Sequence, residues 1–220
     1  MNSLQKAIVF ILIGYLFFFI SPVKAQGQEH KWMVMGVPQY LFQHGLRIEI
    51  DKQTPDSKNW WVFAPQYYIN VSNLNDINHL YYPAYKQMHG FGLSVYRKSF
   101  ISKKYSNQGI YVGGGLGYQH FNMLVSNGRW VEFNDNGVNF FRMENSDYHV
   151  YINKILTEGI IGYQREITDR LFADIFIGFG LRYSFYKQPA GSDIRFNDNS
   201  FDYGYTGTSF IAGFRLGVSL

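Results

Sequence analysis

The chain lacks cysteine altogether, and only 16% of its 220 residues are charged. The first absence excludes disulfides, zinc–thiolate sites and thiol nucleophiles together. Strong charge of either sign is also missing. Of 20 basic residues, Lys6 and Lys24 fall in the first 25 positions, which leaves 18 basic against 16 acidic residues in the remainder. A chain so close to neutrality lacks the basic surface of a nucleic-acid-binding protein, and we expect no nucleic-acid partner.

Long apolar runs are absent after the first 20 residues. The single such run, 7-AIVFILIGYLFFFI-20, follows Lys6 and precedes the short-residue segment 21-SPVKAQ-26. A basic residue, an apolar run and a small-residue site predict a secretory signal peptide at residues 1–25 that is cleaved from one mature domain, residues 26–220. The run is shorter than the roughly 20 residues of a membrane-spanning helix.

Period-two alternation is what the chain has in place of apolar runs. Between Leu171 and Phe185, every second residue is apolar, whereas the residues between them include glycines, Asp174 and Arg182. A soluble sheet keeps its apolar face inside and its polar face in water. A uniformly apolar face opposite a mixed face with charges is typical of a barrel that crosses lipid, with the apolar face outward.

Alternation of this kind predicts eight strands, separated by connections that are short at one end and mostly long at the other. Short turns on the periplasmic side and longer extracellular loops are typical of outer-membrane barrels. The sequence therefore predicts an all-β, closed, antiparallel transmembrane β-barrel. The predicted strands are about 32–42, 45–53, 59–71, 88–101, 109–124, 147–166, 170–187 and 204–220.

The inward faces of these strands carry charges of both signs. Because an eight-stranded barrel is narrow enough for side chains to fill it, we expect these groups to meet as a paired network that plugs the lumen. Glycines at inward positions would make room for long side chains of neighbouring strands. We expect Arg182→Ala to destabilise the barrel by a few kcal/mol by leaving a buried charge unpaired. The predicted network contains Arg47, Glu49, Asp51, Lys154, Glu158, Glu166, Asp174, Arg182 and Arg215.

Three segments give the chain a family resemblance: the signal ending 23-VKAQ-26, the strand 45-GLRIEID-51, and the hairpin 159-GIIGYQREITDRLFADIFIGFGLRY-183. With these features the sequence resembles the small outer-membrane β-barrel proteins of Bacteroidota-type bacteria. The resemblance implies an integral protein of a Gram-negative outer membrane. The chain departs from the common pattern of such barrels by ending in Leu220 in place of an aromatic residue.

Candidate catalytic groups are few. His89, His120 and His149 fall near the loop ends of predicted strands and could meet there, but no H-x-H or H-E-x-x-H spacing is present. No G-x-S-x-G nucleophile turn is present either. The sequence therefore predicts a non-enzymatic protein without a catalytic residue, cofactor or metal.

Two of the predicted long loops contain several aromatic residues. Exposed aromatics there form either a surface for a partner or a cap that packs over the barrel mouth. The sequence Asn-Asp-Asn-Gly at 134–137 predicts a hairpin turn between two of these aromatic stretches. The residues with both interpretations open are Tyr81, Tyr82, Tyr85, Trp130, Phe133, Phe140 and Phe141.

The resulting functional prediction is an outer-membrane protein with a structural role, or one that binds a partner through its extracellular loops. Its partners would be outer-membrane lipid and a protein in the outer membrane or outside the cell. The alternatives are a narrow, porin-like solute channel and a lipid-modifying outer-membrane enzyme, whose Ser and His would lie on the outer wall.

Overall fold

The computed structural model describes residues 31–56, 58–71, 85–101, 107–187, 195–200 and 202–220. The predicted signal peptide and Tyr81 and Tyr82 lie outside these residues. Within them, no helix is both long and apolar enough to cross a membrane. The strands are β1 Trp32–Gly36, β2 Gly45–Gln53, β3 Asn59–Val71, β4 Tyr85–Phe100, β5 Gly109–Asp135, β6 Val138–Glu166, β7 Leu171–Tyr186 and β8 Gly207–Ser219.

These strands close into one barrel. Each pairs antiparallel with its neighbour in the chain, and β1 returns to pair with β8 from Met33↔Ser219 to Gly36↔Leu216. The prediction of an all-β, closed, eight-stranded antiparallel barrel is confirmed. We call the end with the turns at 54–58 and 167–170 the turn end, and the opposite end the loop end.

Strands β2 and β3 match their predicted bounds, but the first predicted strand, 32–42, is wrong in its second half. β1 ends at Gly36, and residues Pro38–Gln43 form a 3-10 helix. Proline at the first helical turn has no N–H to give to a strand ladder, so pairing stops before it. We call Pro38–Gln43 the seam helix.

The turn between β2 and β3 is held by side chains of its own residues. Thr54 and Asn59 both donate hydrogen bonds to the Asp56 carboxylate, and Arg97 lies 3.7 Å from it. The hydrogen bonds from Thr54 and Asn59 lower the pKa of Asp56 below its ordinary value.

Strands β5 and β6 are much longer than predicted and form one uninterrupted hairpin. Their pairing runs from Gly109↔Gln164 to Asp135↔Val138. Asn136 and Gly137 have positive φ angles of 53° and 84°, as a type I′ hairpin turn requires, so the turn predicted from Asn-Asp-Asn-Gly is confirmed. β4 pairs with β5 only as far as Val125, and the pairing of β7 with β6 begins at Ile152. Beyond these points the described part of the hairpin pairs with no other described strand, and it therefore projects from the barrel wall.

The faces of the wall alternate as the sequence predicts. On β7, the outward side chains of Ile175, Ile177 and Phe179 are 55–71% exposed, whereas Asp174 and Phe176, at alternate positions, are buried. The outside of the barrel is thus apolar and exposed, and charged side chains lie inside.

The lumen also contains two apolar clusters. One lies near the turn end, around Met33, Trp60 and Phe172. The other lies near the loop end, around Phe121 and Met123, and it includes Phe196 from the segment that follows β7. Because both ends are filled by aromatic and methionine side chains, polar groups make up only part of the plug.

Glycines provide the room for this filling. A Cβ at Gly115 would overlap the Val95 carbonyl oxygen and the Cβ of Tyr96, and a Cβ at Gly90 would meet the Phe121 ring. The expectation that inward glycines make room for long side chains of neighbouring strands therefore holds at these two positions, where the neighbours are Tyr96 and Phe121.

We expect Gly115→Ala to destabilise the barrel by about 1–3 kcal/mol, because the added methyl group overlaps atoms of β4 that cannot move without breaking the ladder. The adjacent Gly114 is the matched control, since a Cβ there lies 3.4 Å from its nearest neighbour, the Glu158 carbonyl oxygen. Urea unfolding midpoints of both variants in the same detergent measure the difference. Equal midpoints for Gly115→Ala and Gly114→Ala would contradict the close packing of Tyr96.

Candidate functional site

Six charged side chains meet in the lumen on β2, β4, β7 and β8. Each is at most 4% exposed, and three are basic and three acidic. Their formal charges cancel, which is the condition under which charges tolerate burial. We call this group the lumen ion network; its members are Arg47, Glu49, Asp51, Lys98, Asp174 and Arg215.

Arg215 links the two halves of the network. Its Nε lies 2.8 Å from Glu49 Oε2 and its Nη1 lies 3.2 Å from Asp174 Oδ2. The same Nη1 donates to the Tyr111 hydroxyl at 2.6 Å, and the guanidinium lies 3.9 Å from the centre of the Phe176 ring. The cation is therefore surrounded by two carboxylates, a hydroxyl and an aromatic face.

Lys98 is the second cation of the network. Its Nζ lies 2.9 Å from Asp174 Oδ2 and 3.6 Å from Asp51 Oδ2. It also donates to the Gln164 side chain, and Tyr111 donates to the other oxygen of Asp174 at 2.7 Å. Asp174 is thus paired with both Lys98 and Arg215, whereas Asp51 is paired with Lys98.

Arg47 is the third cation and lies on the loop-end side. Its Nε is 2.9 Å from Glu49 Oε1, and its Nη1 donates to the Tyr40 hydroxyl at 2.6 Å. Tyr96 donates to the second oxygen of Glu49. Because Tyr40 belongs to the seam helix, this contact ties that helix to the network.

The structure distributes the nine predicted network residues over three levels. Five of them belong to the lumen ion network, and Glu166 lies near the turn end, where it accepts a hydrogen bond from Gln108 at 2.5 Å. Lys154, Glu158 and Arg182 line a cavity on the loop-end side. Sequence reasoning missed Lys98, although the inward alternation through Gly90, Gly92 and Ser94 leads to it.

The cavity has a volume of about 690 Å³, and Arg47 and Arg215 lie at its base. Lys154 is 4% exposed. Within the described residues its ammonium makes no hydrogen bond or ion pair, and its Nζ lies 5.5 Å from the centre of the Phe121 ring. Arg182 makes no ion pair with any described residue, although the sequence predicted one: it is half-buried and donates to the Ser200 carbonyl oxygen at 3.3 Å. Arg182 faces the segment that contains Ser200 and lies too far towards the loop end of β7 to reach Asp174.

The three candidate histidines all point to the outside of the wall. His120 Nδ1 lies 2.9 Å from Asn153 Oδ1, and His149 Nδ1 lies 2.8 Å from Asn122 Oδ1. Both imidazoles stack on Tyr151, at ring-centre distances of 6.2 and 6.1 Å. They form a polar and aromatic patch, and in the part of the chain that the structure describes no cluster of three or more histidine or acidic side chains is arranged to hold a metal ion.

The loop aromatics separate into two groups. Trp130, Phe133, Phe140 and Phe141 lie exposed on the projecting part of the β5–β6 hairpin. Tyr85 is buried in the mouth, where it accepts a hydrogen bond from Asn70 at 2.7 Å and packs edge-on against Tyr203. The partner-surface interpretation is therefore wrong for Tyr85, whose ring packs inside the barrel mouth.

Searches for similar proteins give little. No protein-family model matches the chain, and no curated protein matches it. Among solved structures, the barrel is similar to CarO of Acinetobacter baumannii, with 12% sequence identity, a TM-score of 0.38, and 87% of this chain and 97% of that chain covered. It is also similar to CarO2 of the same organism, with 14% identity, a TM-score of 0.32, and 86% and 95% of the two chains covered. The strand pairing of this chain itself defines the closed barrel.

The contrast between Arg215 and Arg182 yields a direct test of the lumen ion network. Arg215→Ala should lower the free energy of unfolding by about 3–5 kcal/mol, because it leaves Glu49 and Asp174 buried with an excess negative charge. Arg182→Ala should cost about 1 kcal/mol or less, since it removes one hydrogen bond to a loop carbonyl. Urea titrations of both variants in one detergent provide the comparison, and similar losses for the two would contradict the network described here.

Proposed function

We propose that this protein is an integral outer-membrane barrel whose lumen is closed and whose β5–β6 hairpin binds a protein partner outside the membrane. The membrane location is supported by the two faces of the wall, since the charged side chains lie inside and the apolar side chains lie outside. Charged side chains of the lumen ion network are almost completely buried, whereas the outward side chains of β7 and β8, such as Phe179 and Phe210, are 71% and 63% exposed. An apolar exterior of this extent is unfavourable in water and favourable against lipid tails.

The width of the apolar wall supports the same location. On β6, polar side chains at Asn153 and Arg165 border residues 154–164, a segment of the length that a tilted strand needs to cross a bilayer. Trp32 and Trp61 lie outward near the turn end, and Lys52 stacks on the Trp32 ring at 4.8 Å. Aromatic and basic residues at the edges of an apolar band are typical of a membrane–water interface.

A closed lumen follows from the packing around the network. The cavity ends at Arg47 and Arg215, and the apolar cluster around Trp60 and Phe172 fills the lumen on the far side. An ion would have to break the network to pass. These contacts favour a non-conducting barrel over the porin-like channel.

The hairpin is the element we assign to partner binding. Trp130 and Phe141 are about two-thirds exposed, at 67% and 64%. Phe133 stacks on Phe140 at 5.6 Å, and Arg142 lies 5.1 Å from the Phe133 ring centre. Two strands alone are marginally stable in water, so these cross-strand contacts hold the tip in shape and present its remaining aromatics to a partner.

The contacts of the candidate histidines do not favour a lipid-modifying enzyme. His120 and His149 bond to asparagine amides, and Ser94 lies on the opposite, inward face, bonded to Gln66 at 3.0 Å. We therefore propose a protein without enzymatic activity. Cleavage of the signal peptide after residue 25 and an origin in Bacteroidota-type bacteria stay predictions from the sequence.

Membrane insertion and closure are tested together. The protein, folded into phospholipid vesicles, should resist extraction by carbonate and migrate differently on a gel before and after boiling. In planar bilayers the same preparation should give no single-channel steps, because the lumen ion network blocks the path. Regular conductance steps would reject the closed lumen, and a water-soluble unboiled protein would reject the membrane location.

The hairpin assignment calls for a photo-crosslinking amino acid at Phe141, with one at Phe179 as the matched control on the outer wall. In native membranes, crosslinking at Phe141 should give one discrete adduct of defined mass, because the tip contacts a specific protein. The Phe179 control should give no such protein adduct, since lipid covers it. Identical patterns at the two positions, or none at Phe141, would contradict partner binding by the hairpin.

A further inference from the structure

The wall of the barrel is incomplete on the loop-end side of the junction between β1 and β8. β8 runs from Gly207 to Ser219, but β1 pairs only with the β8 residues from Leu216 to Ser219. On the other side of the gap, the pairing of β1 with β2 stops at Ile48. Among the described residues, the first nine residues of β8 therefore have no strand neighbour on this edge, and the seam helix lies there instead, with Gln39 against Gly213.

The cavity reaches this free edge. It is lined by Ser209 and Ile211, which point inward, and by Phe210 and Ala212 between and beside them on β8. Phe42 of the seam helix also lines it. The cavity therefore lies directly behind the gap between the seam helix and β8, where none of the described strands closes the wall.

The outer side of the gap is apolar. Phe42 of the seam helix and Phe210 of β8 both line the cavity, and they are 57% and 63% exposed. Leu41 lies beside Phe42 on the same exposed side of the helix. In the membrane location proposed above, these side chains lie among lipid chains at the outer side of the gap.

The cavity on the inner side of the gap is polar and contains two groups that have no hydrogen-bond partner among the described residues. One is the Lys154 ammonium, which has no hydrogen-bond or ion-pair partner among the described residues. The other is Oδ1 of Asp202, a residue that is 3% exposed and whose Oδ2 accepts the Asn199 backbone N–H at 2.8 Å. Glu158 and Arg182 also line this part. A buried ammonium without acceptors and a buried carboxylate oxygen without donors are both costly.

We propose that the cavity binds a single-chain zwitterionic phospholipid that enters sideways through the gap between the seam helix and β8. The phosphate accepts hydrogen bonds from Lys154 and Arg182, and the head-group ammonium donates to Asp202 Oδ1. The acyl chain extends outward past Phe42 and Phe210. This inference rests on the proposed membrane location, because the chain must come from the bilayer.

Three probes with the same acyl chain distinguish the parts of this site: lysophosphatidylethanolamine, lysophosphatidic acid and monoacylglycerol. Native mass spectrometry of the detergent-solubilised barrel should show the first binding most tightly and the last most weakly. Lys154→Ala should weaken the binding of both phosphate-bearing probes by roughly ten- to hundredfold, the loss expected for charge-assisted hydrogen bonds. Asp202→Asn should weaken only the ethanolamine probe.

Lys52→Ala is the matched control, since Lys52 lies outward against Trp32 at the turn end, and it should leave all three affinities unchanged. Each variant is first shown to be folded by its migration on an unboiled gel. Equal affinity of the three probes, or an effect of Lys52→Ala as large as that of Lys154→Ala, would reject the site.

The sideways route has its own readout. A lysophosphatidylethanolamine with a photoactivatable group at the end of its chain should label peptides of the seam helix and of residues 207–213. Labels confined to residues 195–205 would mean entry through the mouth, and labels spread over the whole wall would mean ordinary lipid contact; either result overturns the proposal. A barrel that inserts into vesicles but fails these tests would retain the proposed function and lose only this site.

Discussion

Burial of charge inside a narrow closed sheet is the constraint on which the rest of the structure depends. Three cations and three carboxylates occupy the lumen with almost no exposure, and each ionic group is held by at least one group of opposite charge. Because a buried ion is tolerated only when it is paired, the network restricts which residues neighbouring strands can place inward at this level. Gln164 and Tyr111 belong to the same level, and both bond directly to network members.

The face that each residue presents could be read from the sequence, because alternation in a strand is a local property. The uniform apolar face of β7 identifies the outside of the wall, and the glycines of β4 and β5 identify positions next to large rings. The choice of ionic partner could not be read in this way. It depends on the register and height of strands distant in the chain, which a period of two does not define. Arg182 and Arg215 therefore looked equivalent in the sequence, although only Arg215 reaches Asp174.

Two features of the candidate site could not be predicted from the sequence, for a related reason. Pro38 was visible in the sequence, but its effect on the wall depends on how far β8 extends beyond the end of β1. The cavity next to the seam helix is a consequence of that mismatch. Likewise, the isolation of Lys154 follows from its position on β6 above the network, where the nearby acidic side chains, Glu158 and Asp202, lie beyond ion-pair distance. Lys98 is different, since consistent alternation along β4 leads to it.

The short pairing between β1 and β8 has a consequence for the order in which the barrel forms. Every other ladder joins strands that follow one another in the chain, whereas this one joins segments at opposite ends of the described sequence and extends over only four residue pairs. Bringing distant segments together costs more chain entropy than closing a local hairpin. The sheet can therefore grow by successive hairpins from β2 to β8, and closure of the cylinder comes last. The same junction, having the fewest paired residues of any ladder between the described strands, is where the assembled cylinder would first come apart.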